Sequence, residues 1–108
     1  MSEKMLKKVQ EKCALQEILG VIGGKWSMSI IYALFSGKMR FSQLERMIPG
    51  INTRMLVKEL KNMEENKIVT RQVFATVPPT VEYDLTEKGR KLEPIINELY
   101  NWGREFVA

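Results

Sequence analysis

The residues with the clearest chemical promise are Arg54, Lys58 and Lys61, which follow Asn52 and Thr53 in the stretch PGINTRMLVKELKNMEENK, residues 49–67. Asn52 is a good N-cap, and a step of about 100° per residue puts the three cations nearly opposite Leu56, Leu60 and Met63. One face of this helix calls for a protein core and the other for negative charge. The surrounding charge follows the same pattern. Residues 37–71 hold eight basic residues (Lys38, Arg40, Arg46, Arg54, Lys58, Lys61, Lys67, Arg71) against four glutamates. Five lysines face three glutamates before that stretch, and four cations face six acids after it. The formal net charge of +4 is modest, but its excess sits where a polyanion-binding face would need it. A merely solvated face is the plainer reading of such a run.

Other chemistries find little support. The chain has no histidine and one cysteine, so histidine-based triads, histidine metal ligands, thiolate clusters and an internal disulfide are absent. Asp84 is the only aspartate and shares a strand face with Glu82, a pair more often solvated than catalytic. The GGK of VIGGKW resembles a phosphate-binding loop, yet Leu19 stands where that motif needs glycine and Trp26 where it needs a hydroxyl. The glycines are better read as a break before the next helix, with Lys25 near its N-terminus, within reach of a phosphate. No metal, cofactor or enzymatic activity is expected.

The 108 residues suit one domain, and 44% hydrophobic with 28% charged residues is ordinary for a globular chain. No apolar run approaches the roughly 20 residues that span a bilayer, and MSEKMLKKVQEK lacks the apolar centre of a signal peptide. A cytoplasmic location is expected.

The elements that must position the basic face can be read in order. Residues 1–12 carry no cap and are expected to form a mobile arm or frayed turn. CALQEIL fits a short helix from Cys13 to near Gly20, and WSMSIIYALFSG a more apolar one closed by Gly37. FSQLERMI has Ser42 with Glu45 three residues on, a capping box led by Phe41. A tight Pro49-Gly50-Ile51 turn then leads into the basic helix, which is the layout of a helix-turn-helix with a recognition helix. Asn66 is expected to stop that helix in a left-handed conformation. IVTRQVFATV and TVEYDL, parted by Val77-Pro78-Pro79-Thr80, predict a β-hairpin. Thr86 caps a last helix over 87–108, in which Pro94 should produce a kink near Arg90. Its apolar residues Leu92, Ile95, Ile96, Leu99, Trp102 and Phe106 recur at helical spacing and exceed what so small a domain need bury, which predicts a dimerisation surface as well as core contact. The expected fold is mainly α with a small β-hairpin: a winged helix-turn-helix.

With these pieces in place, the chain resembles the HxlR-type subfamily of MarR-like winged-helix transcription regulators. The resemblance rests on Cys13 at the first helix, VIGGKW, MRFSQLERMIPGI, RMLVKELKNMEEN, VPPTVEYDLTEKG and the closing LYNWG, which cover nearly all of residues 13–103 in the family's order. It implies a homodimer built from the first and last helices, with Leu15, Ile95, Leu99, Trp102 and Phe106 in the interface. It further implies double-stranded DNA as partner, with an inverted-repeat operator. Lys25 and Arg40 would touch phosphates, Thr53, Arg54, Lys58 and Lys61 would face the groove, and Thr80, near the wing tip, would also contact DNA. Asn52 is a cap first and a base contact second. Arg can read guanine bidentately, Thr can meet a base edge or a thymine methyl, and lysines supply a salt-dependent phosphate term.

Cys13 matches a position where some members carry a thiol that senses oxidants or electrophiles. Lys8, Lys12 and a helix start would supply the positive field that sensing needs; a buried thiol packing as a small hydrophobe is the equal alternative. The chain departs from the family pattern at Ala14, where proline is common, and at Thr80, where a basic residue is common. It departs also at Lys67, where glycine is common, which shifts the expected helix stop onto Asn66. A winged-helix module for protein contacts without specific DNA binding is the competing function, suggested by the uncharged wing and the Trp102 helix.

Overall fold

The computed structural model describes the backbone of residues 3–107 and, apart from residues 8–13, their side chains. The elements run α1 (Glu3–Ile22), α2 (Lys25–Leu34), β1 (Met39–Arg40), α3 (Phe41–Met47), α4 (Thr53–Glu65), β2 (Val69–Phe74), β3 (Thr80–Leu85), α5 (Glu87–Arg90) and α6 (Leu92–Phe106). The expected winged helix-turn-helix is present, with α3 and α4 as the motif and β2–β3 as the wing.

The core is what the helical and strand periodicities require. Ile30, Ile31 and Leu34 of α2 are fully enclosed, as are Leu44 of α3 and Leu56 and Met63 of α4, with Leu60 nearly so. Ile68, Val69, Tyr83, Leu85 and Ile96 close the cluster from the wing and α6. Each such aliphatic side chain contributes roughly 1.5–3 kcal/mol of transfer free energy, so the position of α4 is fixed by its apolar row and its opposite face is left free.

Several local expectations are corrected. The first helix starts at Glu3 and not at Cys13, and it runs past Gly20 to Ile22, so described residues of the supposed arm at 1–12 are helical. Cys13 thus stands in the middle of a helix and gains nothing from the N-terminal dipole, which fades within the first turn; its side chain lies outside the described residues. The N-cap of α3 is Arg40, not Ser42. The Arg40 backbone N–H donates to Gln43 Oε1 at 2.8 Å. Glu45 is free of the expected box and accepts from Thr53 instead. The sheet has a third strand: two-residue β1 pairs antiparallel with β3, giving the order β1-β3-β2. Two residues are too few to show an alternation pattern.

The end of α4 differs instructively. Asn66 is the C-cap at φ −88° and the left-handed residue is Lys67 at φ +60°. Lys67 N donates to Glu64 O and Ile68 N to Met63 O at 3.0 and 2.9 Å, the paired bonds of a Schellman motif. The same junction holds α5. The Thr86 hydroxyl donates to Lys67 O at 2.6 Å and accepts from Gly89 N at 3.0 Å, while Lys88 Nζ donates to Asn66 O at 3.0 Å. A Cβ on Gly89 would stand 2.4 Å from Ile68 O, so only glycine lets α5 approach this closely. A left-handed Lys costs about 1–2 kcal/mol, against roughly 0.5–1 kcal/mol of extra chain entropy for glycine. Lys67→Gly is therefore expected to raise the thermal midpoint by a few degrees at fixed chain concentration, followed by circular dichroism. A lowered midpoint would contradict this account of the turn.

The single helix expected over 87–108 is divided in two, and the disturbance expected near Arg90 is a break instead of a kink. The terminal helix breaks at Lys91 between α5 and α6, and Pro94 sits in the first turn of α6, where a missing N–H costs least.

Candidate nucleic-acid interface

The turn between α3 and α4 is built for a sharp change of direction: Gly50 takes φ +83°, and the Asn52 side chain caps α4 by accepting from Met55 N at 2.8 Å. The Thr53 hydroxyl donates to the Glu45 carboxylate, a second tie between the two helices. With its hydroxyl so engaged, Thr53 keeps chiefly its methyl for other contacts.

Beyond that turn Arg54, Lys58 and Lys61 are exposed on the side of α4 away from Leu56, Leu60 and Met63. The ion pairs among the described residues are Arg90 to Asp84 at 2.6 Å and Lys91 to Glu87 at 4.0 Å, and neither engages the α4 cations. These charges are held on a rigid element and left unneutralised by the described residues, which is what attraction to a polyanion needs.

The other expected contacts are distributed more widely. Lys25 is the first residue of α2, exposed, with Nζ 4.7 Å over the Trp26 ring. Trp26 in turn lies beside the turn, since a Cβ on Gly50 would meet it at 3.6 Å. Lys25 thus belongs to the turn end of the motif. Arg40 is opposite Glu82 and, across the sheet, Gln72. Side chains in register share a face, so Arg40 lies on the sheet face away from the one that carries Tyr83 and Arg71. Thr80 opens β3, partly buried, and its hydroxyl lies 3.3 Å from that of Thr76; the wing tip is the stretch before it.

Two residues of the face were not foreseen. Arg71 of β2 and Val57 of α4 line a cleft of about 490 Å³ between the recognition helix and the wing, together with Thr53, Lys61, Val81 and Tyr83. The register Arg71↔Tyr83 was the missing signal, because the uneven alternation of β2 left its facing ambiguous. Of Glu82 and Asp84, the one candidate carboxylate pair, Asp84 is engaged elsewhere: its Oδ1 accepts from Arg90 Nη2 and from Leu85 N. Among the described residues no three His, Cys, Asp or Glu converge to hold a metal ion.

A different surface is apolar. Ile95, Leu99, Trp102 and Phe106 of α6 are each more than half exposed, and only Ile96 of that helix is buried. Trp102 and Phe106 lie against each other, their rings tilted by 41° with centroids 5.5 Å apart. Every described side chain of α1 up to Gly20 is exposed, Leu15, Ile18 and Leu19 among them. The radius of gyration is 16.5 Å, against about 13 Å for a compact chain of this length, because α1 has little of its own chain to lie on.

A core-anchored recognition helix with a free basic face, followed by a β-hairpin wing, defines a winged helix-turn-helix transcription regulator. The chain belongs to the HxlR-like helix-turn-helix family, whose model matches residues 21–108. It is 42% identical over 96 residues to the HTH-type transcriptional regulator YdeP of Bacillus subtilis (strain 168), covering 89% of this chain and 75% of that one. Among solved structures it is similar to a MarR-family regulator from Porphyromonas gingivalis W83, with TM-score 0.81, 36% identity and 90% and 95% of the two chains covered. It is also similar to the redox regulator HypR in its oxidized form, with TM-score 0.80, 44% identity and 89% and 99% covered.

Proposed function

We propose that this chain is a homodimeric, sequence-specific DNA-binding transcriptional regulator that reads an inverted repeat in the cytoplasm. The observation that carries the reading is the row Arg54, Lys58 and Lys61: exposed, without an ion pair among the described residues, and held by a helix whose other side is core. Thr53 and Arg54 lie in the first turn of α4, the part of a recognition helix that reaches base edges. Lys58, Lys61 and Arg71 supply phosphate contacts beside it, and Lys25 a further one at the turn. Arg40 and Thr80 take flanking backbone contacts, and Asn52 acts first as the cap.

Dimerisation explains the apolar excess. Leu15 of α1 and Ile95, Leu99, Trp102 and Phe106 of α6 are exposed in one chain, and a second copy covers them in an isologous interface. Two recognition helices then meet successive major grooves about 34 Å apart. Titrating DNA from the chain's own promoter region against random duplex at moderate salt tests the reading; equal affinity for both would refute it.

Cys13 is assigned as an oxidant-responsive thiol. The reading rests on the family resemblance at that position and on the likeness to a protein named as a redox regulator. Since it is the only cysteine, reversible oxidation proceeds through a sulfenic acid, a small thiol or the second subunit. Treatment with a thiol oxidant is expected to change DNA affinity at least several-fold in the wild type and not in Cys13→Ser. The same response in both, or in neither, removes this part of the proposal.

A further inference from the structure

Val57 is the one large apolar side chain on the exposed side of α4, 51% exposed among Arg54, Lys58 and Lys61. It is no part of the buried core, although it borders the cleft with Val81 and Tyr83. A β-branched residue on an open helix surface is a weaker helix former than Ala, Lys or Glu, and the core row of α4 is already filled by Leu56, Leu60 and Met63. Val57 follows Thr53 by one helical step of four, and Lys61 follows Val57 by another, so the three form a row along the cleft that Arg71 borders. The Thr53 hydroxyl is taken by Glu45, which leaves the upper part of this row apolar at the end that reaches base edges. Beside it runs the row of Arg54 and Lys58.

We infer that Val57 is a specificity-determining residue that packs on the C5-methyl group of a thymine in each half-site, next to the base pair read by Arg54. The inference rests on the DNA-binding reading and adds the base that the helix selects at one position. In the major groove the thymine methyl is the single apolar mark that a base presents, and an aliphatic side chain among cations is the complement to it. Val57 forms no hydrogen bond with any base edge, so its preference is for the methyl alone and not for the pattern of donors and acceptors.

Replacing thymine by deoxyuridine removes that methyl and leaves base pairing intact. The test starts from duplexes enriched from a random 20-base-pair library by the wild-type protein, in which each thymine is then replaced in turn. One thymine position, repeated in each half-site, is expected to cost about fourfold in affinity per half-site when replaced, the worth of one buried methyl. In Val57→Ala the same replacement should cost less than twofold, with an unchanged thermal midpoint showing that the fold is intact. Deoxyuridine tolerated by the wild type at every position overturns the inference, as does an equal penalty in Val57→Ala. A library from which nothing is enriched refutes the DNA-binding reading itself and this inference with it.

Discussion

Arg54→Ala is expected to lower affinity for the operator by about 5- to 150-fold per half-site while leaving affinity for random DNA nearly unchanged. The range follows from about 1–3 kcal/mol for a bidentate Arg–guanine contact, and the asymmetry from geometry. Arg54 stands in the first turn of α4, on the exposed side and without an ion pair to another described residue, where the proposed docking would bring its guanidinium to a base edge instead of a phosphate. Lys58 and Lys61 lie one and two turns further along the helix. Removing either should weaken binding to all sequences alike and flatten the dependence of log K on log salt by about 0.9 for each phosphate no longer neutralised, hence about 1.8 in a dimer. Fluorescence anisotropy on operator and random duplexes, across a salt series, separates the two behaviours. Equal loss of specificity in all three variants would mean that the face does not divide into a base reader and phosphate contacts.

Trp102→Asp should have a larger effect still. Trp102 is 55% exposed in one chain and lies against Phe106, in the stripe that includes Ile95 and Leu99. In the proposed two-fold interface a carboxylate there would be buried twice with no partner, at a cost of several kcal/mol per copy. The protein is expected to fall from a mass of twice 12.5 kDa to the chain mass in sedimentation. Operator affinity should fall at least a hundredfold, because each half-site must then be bound without the tethering of the other. The fold itself should survive, since the side chain is not part of the core. Ile96→Asp is the contrast: that side chain is buried in the core, so its replacement should cost helical signal as well as assembly. Retention of the dimer in Trp102→Asp would move the interface elsewhere.

How much was legible in the sequence depended on the range of the interaction involved. The two faces of α4, its Asn52 cap and the Thr86 cap are set by neighbours within a turn or two, and each could be read from spacing; the place of the disturbance near Pro94 could be read as well, but not that it divides the helix. The α3 start misled because two caps competed. Ser42 and Glu45 make a plausible box, yet Glu45 is drawn away by Thr53, eight residues on, and Gln43 closes on Arg40 instead. The stop of α4 was placed one residue early because Lys67 is a poor left-handed residue by itself; the ties from Thr86 and Lys88 that hold this turn come from about 20 residues downstream. β1 was invisible since its two residues become a strand only by pairing with Tyr83 and Glu82. The helical form of residues 3–12 has no cap or clear apolar face to announce it, and the exposed described side chains of α1, Leu15 among them, are what a second chain would cover. Of the candidate face, the row on α4 was readable, whereas Arg71 required the sheet register and Val57 required knowing that the core was complete without it.

A dimeric reader of DNA should be visible in a hydroxyl-radical footprint of the purified protein on DNA from its own promoter region, with the mass of the complex measured in parallel. Two protected patches on one face of the duplex, centred about 34 Å apart and related by an inverted repeat, with two chains per duplex, are the predicted result. A uniform, sequence-independent pattern, or a single patch bound by one chain, would contradict a dimeric regulator that reads DNA through Arg54, Lys58 and Lys61.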